Sequence, residues 1–211
     1  MCFSAQASLI ASATLLALGS YAIKKIKSKA SSKNLLPLAL VPFFFGIQQT
    51  SEGFIWLTYA NPDMAFITQA ATWFFLFFAF FFWPVWIPFT ALMFEKSAQR
   101  KSWFLILLGA GITIASTLIF IALESGVTPE VSCSHIRYNV HMPDLFNYWG
   151  PFVYCMTTVM PFFISTRKRM WLFGLALSAS VLITYIFYAE FFTSVWCFFS
   201  AILSMGIIAL I

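Results

Sequence analysis

The sequence predicts an all-α fold: a polytopic bundle of seven transmembrane helices, with the N-terminus outside and the C-terminus in the cytoplasm. Two observations carry this. Of 211 residues, 61% are hydrophobic, 27 are Phe and 9% are charged, a balance no water-soluble domain shows. In addition, eleven of the twelve Lys and Arg residues fall into three clusters: Lys24, Lys25, Lys27, Lys29 and Lys33; Lys96, Arg100 and Lys101; Arg167, Lys168 and Arg169. These clusters sit at alternate ends of seven long apolar runs, and basic residues in short loops stay on the cytoplasmic side.

The first run, residues 3–23, is a retained span rather than a signal peptide, because its lysines follow the apolar stretch instead of preceding it. Later spans are expected over residues 35–60, 66–88, 103–124, 151–165, 171–190 and 191–211, alternately outward and inward. The third is rich in Phe and ends in Trp83-Pro84-Val85-Trp86-Ile87-Pro88, which reads as an inner-interface aromatic belt with a proline stop. A span takes about 20 apolar residues, so the chain is one domain, 1–211, lying in the bilayer. Its net charge of +5 serves orientation and contact with anionic membrane lipid, and nucleic acid is not an expected partner. Spans one to three and five to seven share directions around the fourth, the arrangement of a parallel-repeat transporter, although every seven-helix protein of this orientation has it.

Six of the seven acidic residues, Glu52, Asp63, Glu124, Glu130, Asp144 and Glu190, fall on the outer side or in outer halves of spans. The chemistry therefore faces outward. Gln48, Gln49, Glu52 and Trp56 are spaced to share one helical face, polar within a span. Glu52 lies roughly 12 Å below the outer end of its helix, at about 1.5 Å per residue. A charge at that depth costs about 2.5–3.5 kcal/mol, so Glu52 should face the bundle interior or a wet cavity. It reads either as a protonated structural acid or as a ligand, proton carrier or acid–base group.

Residues 125–150 form the one long outer loop and carry Cys133, His135, Arg137, Tyr138, His141 and Asp144. Long loops lacking secondary structure are usually functional or disordered, and the apolar residues here suggest a lid over the bundle mouth. A Cys2–Cys133 disulfide would pin that lid to the N-terminus. Failing that bridge, Cys2, if Met1 is trimmed, presents an amine and a thiol on one residue, a chelating pair and a nucleophile. Cys155 and Cys197 fall inside spans, where a thiol is ordinarily a small hydrophobe.

Met1-Cys2-Phe3-Ser4-Ala5, the FGIQQTSEGFIW stretch, WPVWIP at 83–88, His135-Ile136-Arg137-Tyr138 and SVWCFFSA at 194–201 resemble a family of uncharacterised, largely bacterial integral membrane proteins that begin MCFSA. The resemblance spans the chain and implies a common fold in a bacterial inner membrane. It draws attention to Cys2, Gln48, Gln49, Glu52, His135 and Cys197, and it implies no reaction. The chain lacks the span-borne H-x-x-x-H pair of ceramidase-like membrane hydrolases, and the Gly-rich phosphate loop, Ser-x-x-Lys and His-Glu-x-x-His motifs are also missing.

Two function classes follow. One is an outward polar pocket in which Glu52 and His135 act as catalytic groups, and Glu52, His135, Cys2 and Cys197 hold zinc or copper. The other is a small-molecule or proton-coupled transporter binding solute at Gln48, Gln49 and Glu52, with Trp56 and Tyr138 as further ligand contacts. A receptor or scaffold role is the remainder.

Overall fold

The computed structural model describes residues 4–28, 30–132 and 134–211. The chain is mostly helical: α1 (Ala5–Lys27), α2 (Leu36–Ala39), α3 (Val41–Thr58), α4 (Ala65–Leu76), α5 (Trp83–Phe94), α6 (Ala98–Ser125), α7 (Asp144–Ile164), α8 (Met170–Tyr188) and α9 (Phe192–Ser204). Among the described residues, four helical stretches are long and apolar enough to cross a membrane: Ala5–Lys27, Pro62–Phe94, Ala98–Ser125 and Met170–Ala209. The last of these bends back at Ala189–Phe191, so that α8 and α9 pack on each other.

The first helix shows how the sequence writes this packing. Ser4 is extended at the N-cap and its hydroxyl accepts a hydrogen bond from the Ala7 N–H at 3.2 Å. The buried face then runs Ser8, Ser12, Leu15, Gly19, Ala22, Ile26, alternating four and three residues. Small residues on that face let α3 come close. A Cβ on Gly19 would lie 2.6 Å from the Phe43 backbone nitrogen, and one on Gly46 2.9 Å from that of Leu16. Helices that cannot gain from expelling water associate through such close contacts between small residues.

The segment from Pro62 to Phe94 departs from the expectation of a proline stop at Pro88. The helix runs through both prolines, with a π-helical stretch over Phe77–Phe82. A proline supplies no N–H and leaves carbonyls behind it unpaired. Other segments take up those groups. The Tyr154 hydroxyl donates to the Ala79 carbonyl, five residues before Pro84. The Pro84 carbonyl, four before Pro88, faces Gly111 of α6, where a Cβ would sit 2.0 Å from the oxygen. Freed carbonyls in an apolar bundle are tolerated where neighbouring helices cover them.

Residues 125–150 are not an irregular loop. Strands β1 (Thr128–Ser132) and β2 (His135–Asn139) pair antiparallel, with Ser132 opposite His135 and Glu130 opposite Arg137. Ser134, directly before β2, is left-handed at φ 61°. The hairpin folds onto the bundle: Ile136 is fully buried, and Gln69 of α4 donates to the Val127 carbonyl at 2.9 Å. Helix α7 begins at Asp144, seven residues before the sequence placed it.

All three basic clusters gather at the opposite end. Lys25 donates to the Ile208 carbonyl at 3.3 Å, Arg100 to the Ile164 carbonyl, and Arg167 to the Leu210 carbonyl at 2.7 Å. Cations thus meet the negative C-terminal ends of helical segments. Buried Glu95 joins the α5–α6 turn to the α7–α8 turn, accepting from the N–H groups of Lys96, Ser97 and Thr166 and from the Thr166 hydroxyl at 2.7–3.0 Å. Burial pushes this carboxyl up, but the hydrogen bonds outweigh it and hold Glu95 below the ordinary carboxylate range. The clamp is therefore charged and intact at neutral pH, and its contribution is lost only as the pH falls through that lowered value.

Gly111→Ala should lower thermal stability in detergent by about 1–3 kcal/mol, because the new methyl group must displace either α6 or the Pro84 carbonyl. Gly109→Ala on the same helix, with nothing within 4 Å of the added atom, should leave it unchanged. Equal midpoints for the two variants would contradict the close approach.

Candidate functional site

Gln48, Gln49 and Glu52 face the interior from the middle of α3, with at most 2% of each exposed. Gln48 is fully engaged. Its Nε2 donates to the Phe75 carbonyl and to Cys197 Sγ, both at 3.4 Å, and its Oε1 accepts from Trp83 Nε1 at 2.8 Å. One amide thereby ties α3 to the end of α4, the start of α5 and α9. The Trp83 ring also stacks on Phe45 at 3.8 Å, which fixes the indole N–H toward Gln48.

Glu52 accepts hydrogen bonds from two hydroxyls on other helices. Ser194 at the start of α9 donates to Oε1, and Ser8 of α1 to Oε2 at 3.4 Å. The Gln49 carboxamide lies beside the same carboxyl and its amide group acts on it as a donor, while its buried oxygen has no hydrogen-bond partner. One turn further into the bundle, the Ser12 and Thr50 hydroxyls share a 2.6 Å hydrogen bond. The helices α1, α3 and α9 meet at this polar junction.

A cavity of about 430 Å3 lies next to it, beneath the hairpin. Its walls are mainly apolar, with Tyr138, Tyr154, Cys155, Glu190, Thr193 and Cys197 among the lining residues. Trp196, Tyr154 and Cys197 separate it from a second, smaller space of about 40 Å3 toward the basic end. Tyr138 stacks on Phe75 at 5.0 Å, and its buried hydroxyl has no hydrogen-bond partner. Burial, then the nearby Glu52 carboxyl and Cys197 thiol, hold that phenol well above its ordinary value, so it stays a neutral donor. At the mouth, Arg137 of β2 pairs with exposed Glu190; such a surface ion pair orients the hairpin more than it stabilises it.

The residues singled out from sequence fall in different places. Gln48, Gln49 and Glu52 come together, Cys197 joins them through Gln48, and Tyr138 lies within electrostatic reach of both Glu52 and Cys197. Trp56 packs on the outer apolar cluster instead. His135 packs against Tyr188 at 5.1 Å and Phe191 at 5.0 Å, where the hairpin meets the α8–α9 bend. Among the described residues no three His, Cys, Asp or Glu side chains come together to hold a metal, so Glu52, His135 and Cys197 do not converge on one centre. Cys2, and with it the Cys2–Cys133 bridge, lies outside the described residues.

Sequence reasoning missed Ser8, Ser194, Trp83 and Tyr154. The signal for Ser8 was available: Ser4, Ser8 and Ser12 recur every four residues on an otherwise apolar helix. Trp83 passed for an interface aromatic, although a buried indole N–H needs an acceptor and Gln48 offers one.

An apolar helical bundle with membrane-length helices and a buried polar junction is the class of protein that fold and site define. The family of unknown function DUF6629 matches residues 1–211, and the chain belongs to that family. No curated protein and no solved structure matches the chain.

Gln48→Leu should destabilise the fold by about 1–3 kcal/mol, because it orphans the Trp83 N–H in the core. Adding Trp83→Phe should recover part of that loss in a double-mutant cycle of thermal unfolding. Strict additivity of the two substitutions would show that the bond does not couple α3 to α5.

Proposed function

We propose that the chain crosses the membrane seven times, with the hairpin outside and the basic end in the cytoplasm, and that its outward cavity binds a small amphipathic molecule. The topology rests on the gathering of Lys25, Arg100 and Arg167 at one end, joined to the carbonyls of Ile208, Ile164 and Leu210. A reporter inserted within residues 126–134 should be accessible from outside, and one beside Arg169 from the cytoplasm. The reverse pattern would overturn the orientation.

The observation that carries the binding reading is the cavity itself. Its volume of about 430 Å3 lies in the range of small-molecule sites, and its few polar atoms are set in an apolar lining. Tyr185 of α8, 69% exposed on the face that would meet lipid, forms part of its wall, so an amphiphile can enter sideways from the outer leaflet. The Tyr138 hydroxyl, buried and unpaired, is positioned to donate to a carbonyl, carboxylate or hydroxyl on the ligand.

A transport reading draws on one further feature: the Pro62–Phe94 segment is interrupted beside the cavity by its π-helical stretch and two prolines, and broken helices flank the sites of many transporters.

In lipid nanodiscs, a photoreactive fatty acid bearing a diazirine should label peptides of α7 and the hairpin in a saturable way. Cys155→Trp, which fills the cavity, should cut that labelling about tenfold while leaving the thermal midpoint close to that of the parent. Undiminished labelling of a folded Cys155→Trp protein would refute the cavity as the binding site.

A further inference from the structure

Glu52 brings a carboxyl into the bundle interior, and among the described residues no basic side chain pairs with it. The ionisable groups within its electrostatic reach, the Tyr138 phenol and the Cys197 thiol, carry no positive charge in either protonation state. Its hydrogen-bond partners, Ser8 and Ser194, are neutral hydroxyls. An ionised carboxylate in such surroundings lacks its counter-charge. Gln49, fully buried beside it, has an amide group that acts on the carboxyl as a donor and an oxygen with no hydrogen-bond partner.

We propose that the junction of α1, α3 and α9 is a binding site for one sodium ion, held by Glu52 Oε2, Ser8 Oγ and Gln49 Oε1, with Ser194 fixing the other carboxylate oxygen. Three features support this ion over others. The donors are all oxygens, which suit hard cations and not copper or zinc. A single carboxylate balances one positive charge, so a divalent ion would leave the buried site charged. The spacing of Ser8 Oγ from Glu52 Oε2 is 3.4 Å, long for a hydroxyl donating to a carboxylate. Two oxygens at right angles around an ion of sodium's size, each at about 2.4 Å, lie roughly that far apart.

A proton on Glu52 would neutralise the charge and engage one Gln49 atom, leaving the long Ser8 contact unexplained. The approach is written on α1. Ser4 at the helix N-cap, Ser8 and Ser12 form a stripe of oxygens from the end of the helix inward, and the Ser12–Thr50 hydrogen bond closes it one turn beyond the site.

This site shares no donor with the cavity lining, so the two proposals can fail separately. Thermal unfolding in nanodiscs of neutral lipid, at mildly alkaline pH, tests it with sodium chloride against choline chloride at equal ionic strength. The midpoint should rise with sodium in a saturable way, as expected for a ligand that binds the folded state. Ser8→Ala and Gln49→Ala should each raise the half-saturating sodium concentration about tenfold, and Glu52→Gln should abolish the response. Cys155→Trp should keep it. If Glu52→Gln does not fold, the two weaker variants decide the matter. Identical unfolding in sodium and choline, an unchanged response in those two variants, or stabilisation by acid with none by sodium would each overturn the proposal, the last in favour of a proton.

Discussion

Gln48 carries one amide into the centre of the bundle, where it meets the end of α4, the start of α5 and the middle of α9. In an apolar interior an amide cannot be left to solvent, so its neighbours must either bond it or bear the cost of an unpaired group. Bonding it fixes much else. Trp83 must point its indole inward, and the end of α4 must present the Phe75 carbonyl toward α3. Cys197 must lie on the face of α9 that also carries Ser194. Glu52, one turn along from Gln48, then falls beside that serine.

The irregular backbone of the Pro62–Phe94 segment belongs to the same arrangement. Two prolines would normally end a helix, yet here each exposed carbonyl is met by a different neighbour, Tyr154 for Ala79 and the bare backbone of Gly111 for Pro84. The hydroxyl that serves Ala79 also belongs to a residue of the cavity wall. A change in how this segment is wound would therefore be felt directly at the cavity.

The sequence disclosed the apolar helices, the shared end of the basic clusters and the inward face of Gln48, Gln49 and Glu52. These follow from composition and spacing, which depend on solvent and helical period alone. It did not disclose the partners. Ser8 and Ser194 lie 44 and 142 residues from Glu52, and nothing local marks either as its neighbour. The hairpin was within reach, since Ile136, Tyr138 and Val140 alternate with His135, Arg137 and Asn139, a period of two that the length of the loop obscured. The glycine contacts were invisible for a different reason: a glycine facing lipid and one pressed against a carbonyl read alike until the opposing helix is known.

Helix α9 contributes Ser194, Trp196 and Cys197 and packs against α1, so elements from opposite ends of the chain close the structure side by side. Synthesis runs from N- to C-terminus, and α9 leaves the ribosome after every helix it completes. Until then Glu52 has neither its serine from α9 nor the cover that α9 provides. The junction is thus the last part of the bundle to be completed as the described helices are made.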